Sequence, residues 1–360
     1  MTKRPPRGLL PAILSALPHL FPLLLCIALL MAAAVSEADA AEPPASGIPA
    51  CHVGRSLLPD LEAKGEMAAL ETEAAQTPNG EGRLFRIERD GLAPSYLFGT
   101  MHLSDPRVLD LPDAADRALD GAAGVVIETT DVLDPARMGA TLLTRADLTT
   151  LPAGRTLADV VGPEGMARVV PVLEARGTPA AAIARLQPWF VAAGLLMPEC
   201  EAQRSEAGAK VLDVAIAERA KTSGKPLVGL ETAAEQLEAM ASMPLDLQAD
   251  NLVASVELAD RLPDLFETMI DLYLRGQIAL IGPATERALP SGTDEATSVA
   301  VTQAFEDRVV HRRNGLMAER LQPFLGEGGR FVAVGALHLP GETGLVEALR
   351  RTGWTVTRAD

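Results

Sequence analysis

Phe331-Val332-Ala333-Val334-Gly335-Ala336-Leu337-His338 is the stretch from which the fold can be read. Its apolar run has the length and the β-branched content of a buried strand. Gly335 lets the backbone turn sharply, and the turn lifts His338 out at the strand's C-terminal edge. The same arrangement occurs far upstream, where Tyr96-Leu97-Phe98 runs through Gly99-Thr100-Met101 into His102. Two further short apolar runs end in a carboxylate: Val125-Val126-Ile127 before Glu128, and Leu227-Val228-Gly229-Leu230 before Glu231. If these four strands lie parallel in one sheet, their carboxyl ends share one edge, where open α/β sheets bind ligands.

Outward from these strands, Leu84–Glu88 and Ser95–Gly99 read as a hairpin about Asp90-Gly91. Asp113–Gly121 reads as a short helix after Pro112, and Thr355–Arg358 as a closing strand after a helix at Glu342–Arg351. Residues 134–223 and 232–326 are helical in pattern, with breaks at Pro152, Pro163, Pro179 and Pro188 and near Pro290. A short helix is expected between Ser56 and Thr77. The expected class is therefore α/β (α+β): a central mixed sheet built from N- and C-terminal strands, with a large helical middle. Residues 41–83 read as a linker with that short helix, and 84–360 as one large domain.

Taken singly, each histidine reads as a structural residue rather than a ligand. The matched pair with Glu128 points to function. Two imidazoles and one carboxylate, with positions left for water, form a facial set that suits Mn, Fe, Co or Zn. Such a metal lowers the pKa of bound water and makes a nucleophile near neutral pH. Glu231 could serve as general base or orient a ligand; equally, it could be a carboxylate at a helix start, favoured there by the dipole. On a helix expected over Thr302–Phe324, Arg313 could fork onto a substrate carboxylate or oxyanion with Asn314 orienting it, whereas His311 reads as a surface residue. The chain has no Gly-x-Ser-x-Gly, His-Glu-x-x-His, P-loop or Rossmann fingerprint.

Composition narrows the partners. Aromatics are only 3% of the chain, so platforms for stacking bases or sugars are few. The formal charge of −16 disfavours a polyanion, so no nucleic-acid partner is expected. The N-terminus reads as a Sec-type signal: Lys3, Arg4 and Arg7, an apolar stretch densest from Leu23 to Val35, then Ala38-Asp39-Ala40 with cleavage after Ala40. The apolar stretch is too short for a span of about 20 residues, so no membrane segment is expected to remain after cleavage. Export to the periplasm or beyond would then leave Cys51 and Cys200 as an even pair, expected to be bridged in an oxidising compartment.

Taken in order, these segments resemble the TraB/GumN family, which includes the Tiki metalloproteases and is distantly similar to erythromycin esterase and ChaN-like proteins. The matching pieces are Leu97–His102, Val126–Glu128, Gly224–Thr232, Arg313-Asn314, Phe331–Leu339 and Gly353–Val356, with Cys51–Leu58 resembling the N-terminal segment of exported bacterial members. The resemblance implies a metal site at His102, Glu128 and His338. Peptidase activity, with Mn or Co ahead of Zn or Fe, is implied by the Tiki branch, and a peptide or another small molecule would be the substrate. It also leaves two other readings open: a periplasmic protein that sequesters a peptide without cutting it, as the TraB/PrgY name suggests, and a haem- or metal-binding protein of the ChaN kind. Leu337 stands where a small residue is common in the family. Tyr273-Leu274-Arg275-Gly276-Gln277 replaces its Trp-x-x-Gly-Asp.

Overall fold

A computed structural model describes residues 54–288 and 295–360, the stretch 295–299 by backbone alone. The signal segment, the linker at 41–50, Cys51 and so the Cys51–Cys200 bridge, and the break near Pro290 lie outside the described residues.

Six strands form one mixed sheet in the order β4-β3-β5-β2-β1-β6. They are β1 (Leu84–Glu88), β2 (Ser95–Thr100), β3 (Gly124–Ile127), β4 (Leu227–Gly229), β5 (Arg330–Gly335) and β6 (Thr355–Arg358). Four of them, β4, β3, β5 and β2, are parallel neighbours. The hairpin partner β1 and the closing strand β6 run antiparallel at the other side. The expected α/β class with a sheet drawn from distant segments is what the chain adopts. β3 is buried at every position, as a central parallel strand covered on both faces must be.

The two faces pack against different helices. Val126, Val332 and Val334 meet Met317 and Leu321 of the Arg312–Glu327 helix and Leu345 and Leu349 of the Leu345–Arg351 helix. Val125, Ile127, Phe98 and Phe331 face a larger core that takes in Leu212 and Ile216, Leu119, and the Leu262–Leu274 helix. A third cluster joins the helices Leu157–Ala175, Pro188–Leu195 and Leu245–Leu258, the centre of the helical middle.

Local differences from expectation have local causes. The single helix expected between Ser56 and Thr77 is two, Leu58–Ala63 and Met67–Ala74, parted at Gly65 with φ +74°. Both contribute to the larger core through Leu58, Leu61 and Leu70. Pro163 marks a kink at Gly162 (φ +78°) inside the Leu157–Ala175 helix, not an end. The expected helix Thr302–Phe324 is interrupted by a π-helical stretch at Glu306–His311, one residue short of Arg313. Among the described residues no helix is long and apolar enough to cross a membrane.

Candidate metal centre

The C-terminal ends of the four parallel strands bring His102, Glu128, Glu231 and His338 to one edge of the sheet. Nε2 of His102 lies 4.0 Å from Glu128 Oε1, and Nε2 of His338 lies 3.9 Å from the same oxygen. Each ring is fixed through its other nitrogen. His338 Nδ1 is 2.7 Å from Asn314 Oδ1, whose amide is oriented by Nδ2 donating to Thr343 O at 3.0 Å. An amide oxygen only accepts, so the proton sits on His338 Nδ1, and Nε2 presents its lone pair toward Glu128. His102 Nδ1 is 2.6 Å from Asp213 Oδ2, which sets the same tautomer. This is the support that imidazole metal ligands ordinarily have.

Asp213 is a first-turn residue of the Leu212–Thr222 helix. That helix docks on the site segment through Leu212 N–H to Leu103 O, and Thr100 Oγ1 donates to Asp213 Oδ1 at 2.6 Å. Next to His102, Ser104 donates from both its backbone N–H and its hydroxyl to buried Glu201, which pairs with Arg204. On the other side, the Tyr273 hydroxyl donates to Gly99 O at 2.9 Å and props the first Gly-x-x-His turn.

Glu128 is held at both oxygens. Oε1 accepts the Gly335 N–H at 2.6 Å; Oε2 accepts from Arg313 Nη2 at 2.6 Å and Gln236 Nε2 at 3.0 Å. Burial alone would raise its carboxyl, but the Arg313 guanidinium, both histidines and the Gly335 N–H outweigh it and hold Glu128 well below the usual carboxylate range. Arg313 also forks onto Glu231, with Nε 3.1 Å from Oε1 and Nη2 2.7 Å from Oε2. This buried guanidinium is therefore committed to two protein carboxylates, not open to a substrate anion as the sequence suggested. Asn314 orients His338 instead of Arg313. Glu231 anchors Arg313 instead of standing ready as a base; the capping box that starts the next helix is made by Thr232 and Glu235. His311 is exposed, as expected.

Gly335 leaves room at the centre. A Cβ there would lie 3.2 Å from Glu128 Oε1, 3.4 Å from His102 Nε2 and 3.5 Å from His338 Cδ2. So a point above Gly335 is ringed by one carboxylate oxygen and two imidazoles. Around it, formal charges of Glu128, Glu231 and Asp213 against Arg313 leave a surplus of about two negative charges, the charge a divalent cation would balance. As it stands, though, no three His, Cys, Asp or Glu among the described residues are placed to hold a metal ion. The 3.9–4.0 Å spacings exceed the ~3.4 Å between tetrahedral ligands at ~2.1 Å bonds. The donor types, tautomers and charge fit a divalent ion; the spacing is wider than a closed site.

Burial pushes the His338 imidazole down to about 3, with Arg313 adding to the effect and Glu128 opposing it. In the unfolded chain this ring takes a proton near its usual 6.5. Between these values the unfolded state binds more protons, so stability falls as pH drops through 6.5. Urea unfolding at pH 7 and pH 5 should show about 2 kcal/mol less stability at the lower pH from this group. His338→Gln should flatten that part of the slope; an unchanged slope would show that His338 titrates freely in the folded protein.

The sequence matches the TraB/PrgY/gumN family over residues 83–358. The chain belongs to the TraB/PrgY/gumN family. Among its relatives, Metalloprotease TIKI1 of Danio rerio is 27% identical over 338 residues, covering 81% of this chain and 66% of the fish protein. Metalloprotease TIKI2 of Xenopus tropicalis is 27% identical, over 73% of this chain and 57% of its own. Uncharacterized protein YbaP of Shigella flexneri is 25% identical over 73% of this chain and 90% of the relative. The chain thus spans just under two thirds of TIKI1 and little more than half of TIKI2, but most of YbaP. No solved structure matches. The family match begins at Arg83, so it takes in all six strands and every residue named at this sheet edge.

Of the residues at this edge, Asp213 and Gln236 escape a reading by motif. Asp213 looks like any acidic residue in a helix's first turn, and Gln236 like any polar residue on a helix. The strand-end rule, by contrast, leads to His102, Glu128, Glu231 and His338.

Proposed function

We propose that this TraB/PrgY/gumN protein is an exported metal-dependent hydrolase acting on peptide bonds, with His102, Glu128 and His338 as the metal ligands. The observation that carries the reading is the pair of imidazole Nε2 atoms turned toward one oxygen of an ionised, buried carboxylate, around the space that Gly335 leaves open. The names of the TIKI1 and TIKI2 relatives support it. The ion, Mn or Co ahead of Zn or Fe, would polarise a scissile carbonyl and acidify a bound water when present.

The chain's own groups do the rest. Asp213 and Asn314 hold both rings in the tautomer that offers Nε2, and the Gly335 N–H fixes Glu128 Oε1. Arg313 supplies the counter-charge to Glu128 Oε2, and Gln236 helps to anchor it. Arg313 keeps Glu128 charged, so Glu128 binds and does not carry protons. His102 is the more exposed of the two rings, with 16% of its side chain open against 4% for His338, so it marks the side from which a peptide would enter.

Elemental analysis of the purified protein beside a His102→Ala, His338→Ala variant tests the reading. Stoichiometric metal in the wild type and none in the folded variant, with peptide cleavage lost in parallel, is the expected result. Metal-free wild type after reconstitution with Mn and Co, together with peptide affinity that survives both substitutions, would replace the hydrolase with a peptide-sequestering protein.

A further inference from the structure

We infer that the protein carries a second ligand site, independent of the proposed metal centre and at the opposite edge of the sheet, that binds a small organic anion with a short apolar body. A groove of about 430 Å³ lies between one face of the sheet and the Asp113–Gly121 helix. Leu84, Ala114, Ala118 and Ala122 give it an aliphatic lining, and Arg86, Arg117 and Arg330 supply three cations. Among the described residues no acidic one lines it. In a chain of formal charge −16 a cavity with three arginines and no carboxylate is a built electrostatic feature.

The arginines are held but not used up. Arg86 pairs with Glu88 at 2.8 Å and Arg330 with Glu327, both acids lying outside the groove. Yet the Nε atoms of Arg86 and of Arg330 are buried and have no hydrogen-bond partner. Those Nε atoms are closed off from the groove, so an oxyanion there would meet the outer guanidinium nitrogens, foremost those of exposed Arg117. Tyr96, opposite Arg86 in the β1–β2 register, sets a phenol among them. Guanidinium groups suit carboxylate and phosphate alike, because two parallel N–H donors match two oxygens. The lining adds affinity for a ligand that brings a hydrocarbon portion with its charge.

The groove is separate from the strand ends that carry the histidines. Arg330 begins β5 and Gly335 ends it, five residues apart, which places the two sites about 16 Å from each other at ~3.3 Å per residue. A ligand in the groove therefore does not touch Glu128.

Calorimetric titration of the full protein with hexyl phosphate, hexanoate, inorganic phosphate and hexanol tests the assignment, and the first two rank phosphate against carboxylate. The expected result is saturable binding of hexyl phosphate or hexanoate, with inorganic phosphate and hexanol each weaker. Arg117→Gln should weaken that binding about tenfold, and adding Arg86→Gln should weaken it further. His102→Ala, His338→Ala should leave it unchanged. Circular dichroism confirms that each variant is folded. Absence of binding in the wild type, equal binding of hexanol, affinity indifferent to both arginines, or loss of binding in the histidine variant would each overturn the site.

Discussion

Arg313→Met is expected to destabilise the fold by about 3–5 kcal/mol, the largest loss of any single substitution at this edge. The guanidinium is buried and donates to Glu128 and Glu231 through one Nη2, so its removal leaves two carboxylates facing each other without a counter-charge. For a domain this large the change corresponds to a fall in Tm of roughly 10 °C. One of the two carboxyls must then take up a proton, so its folded pKa rises above its unfolded value. Stability from such a group is present at low pH and lost as pH rises, and the variant's deficit should therefore shrink on acidification. Arg313→Met, Glu231→Gln should recover part of the loss, because it removes one of the orphaned charges. Arg313→Lys should fall between, keeping the charge without the fork. Thermal melts of the four proteins at two pH values measure all of this. An Arg313→Met protein within 1 kcal/mol of wild type at neutral pH would mean that water reaches these carboxylates and that the pair is not the keystone of this sheet edge.

The role of Arg313 is one that the sequence conceals. Arg313 is visible as one of two adjacent arginines in a helical pattern, and a straight helix from Thr302 gives no reason to prefer it over Arg312. The π-helical stretch at Glu306–His311 adds residues to one turn and shifts the phase of the helix beyond it. After it, Arg313 and Asn314 are buried while Arg312 and His311 are exposed. No periodicity argument contains that shift. The sheet is more legible, because apolar runs, a glycine and an ionisable residue at each strand end are local signals that survive long insertions. Parallel pairing of β4, β3, β5 and β2 then agrees with the need to cover both faces of such strands. Asp213 is illegible for the opposite reason. It reaches His102 across 111 residues of sequence, from a helix whose docking depends on packing that no motif encodes.

Gly335→Ala isolates the proposed metal site from the fold that supports it, and its expected result is a folded protein that no longer takes up metal. Gly335 sits at φ −52° and ψ 135°, a conformation that alanine adopts without strain. Removing a glycine there lowers the entropy of the unfolded chain, worth about 0.4–1 kcal/mol. The new methyl would meet Glu128 Oε1 and His102 Nε2 at 3.2 and 3.4 Å, close contacts that a small shift of either side chain relieves. The melting temperature should therefore stay near that of the wild type. The methyl would intrude on the space beside a cation shared by Glu128, His102 and His338, and metal affinity should drop by about a hundredfold. Loss of turnover should accompany the loss of metal, with the Arg313 cluster and its acid response unchanged. This pattern separates the variant from His102→Ala, His338→Ala, which removes the ligands themselves and the bonds to Asp213 and Asn314 that brace their helices. Metal binding at wild-type strength in Gly335→Ala would show that any bound ion sits elsewhere, and the two histidines would then be structural members of the strand ends.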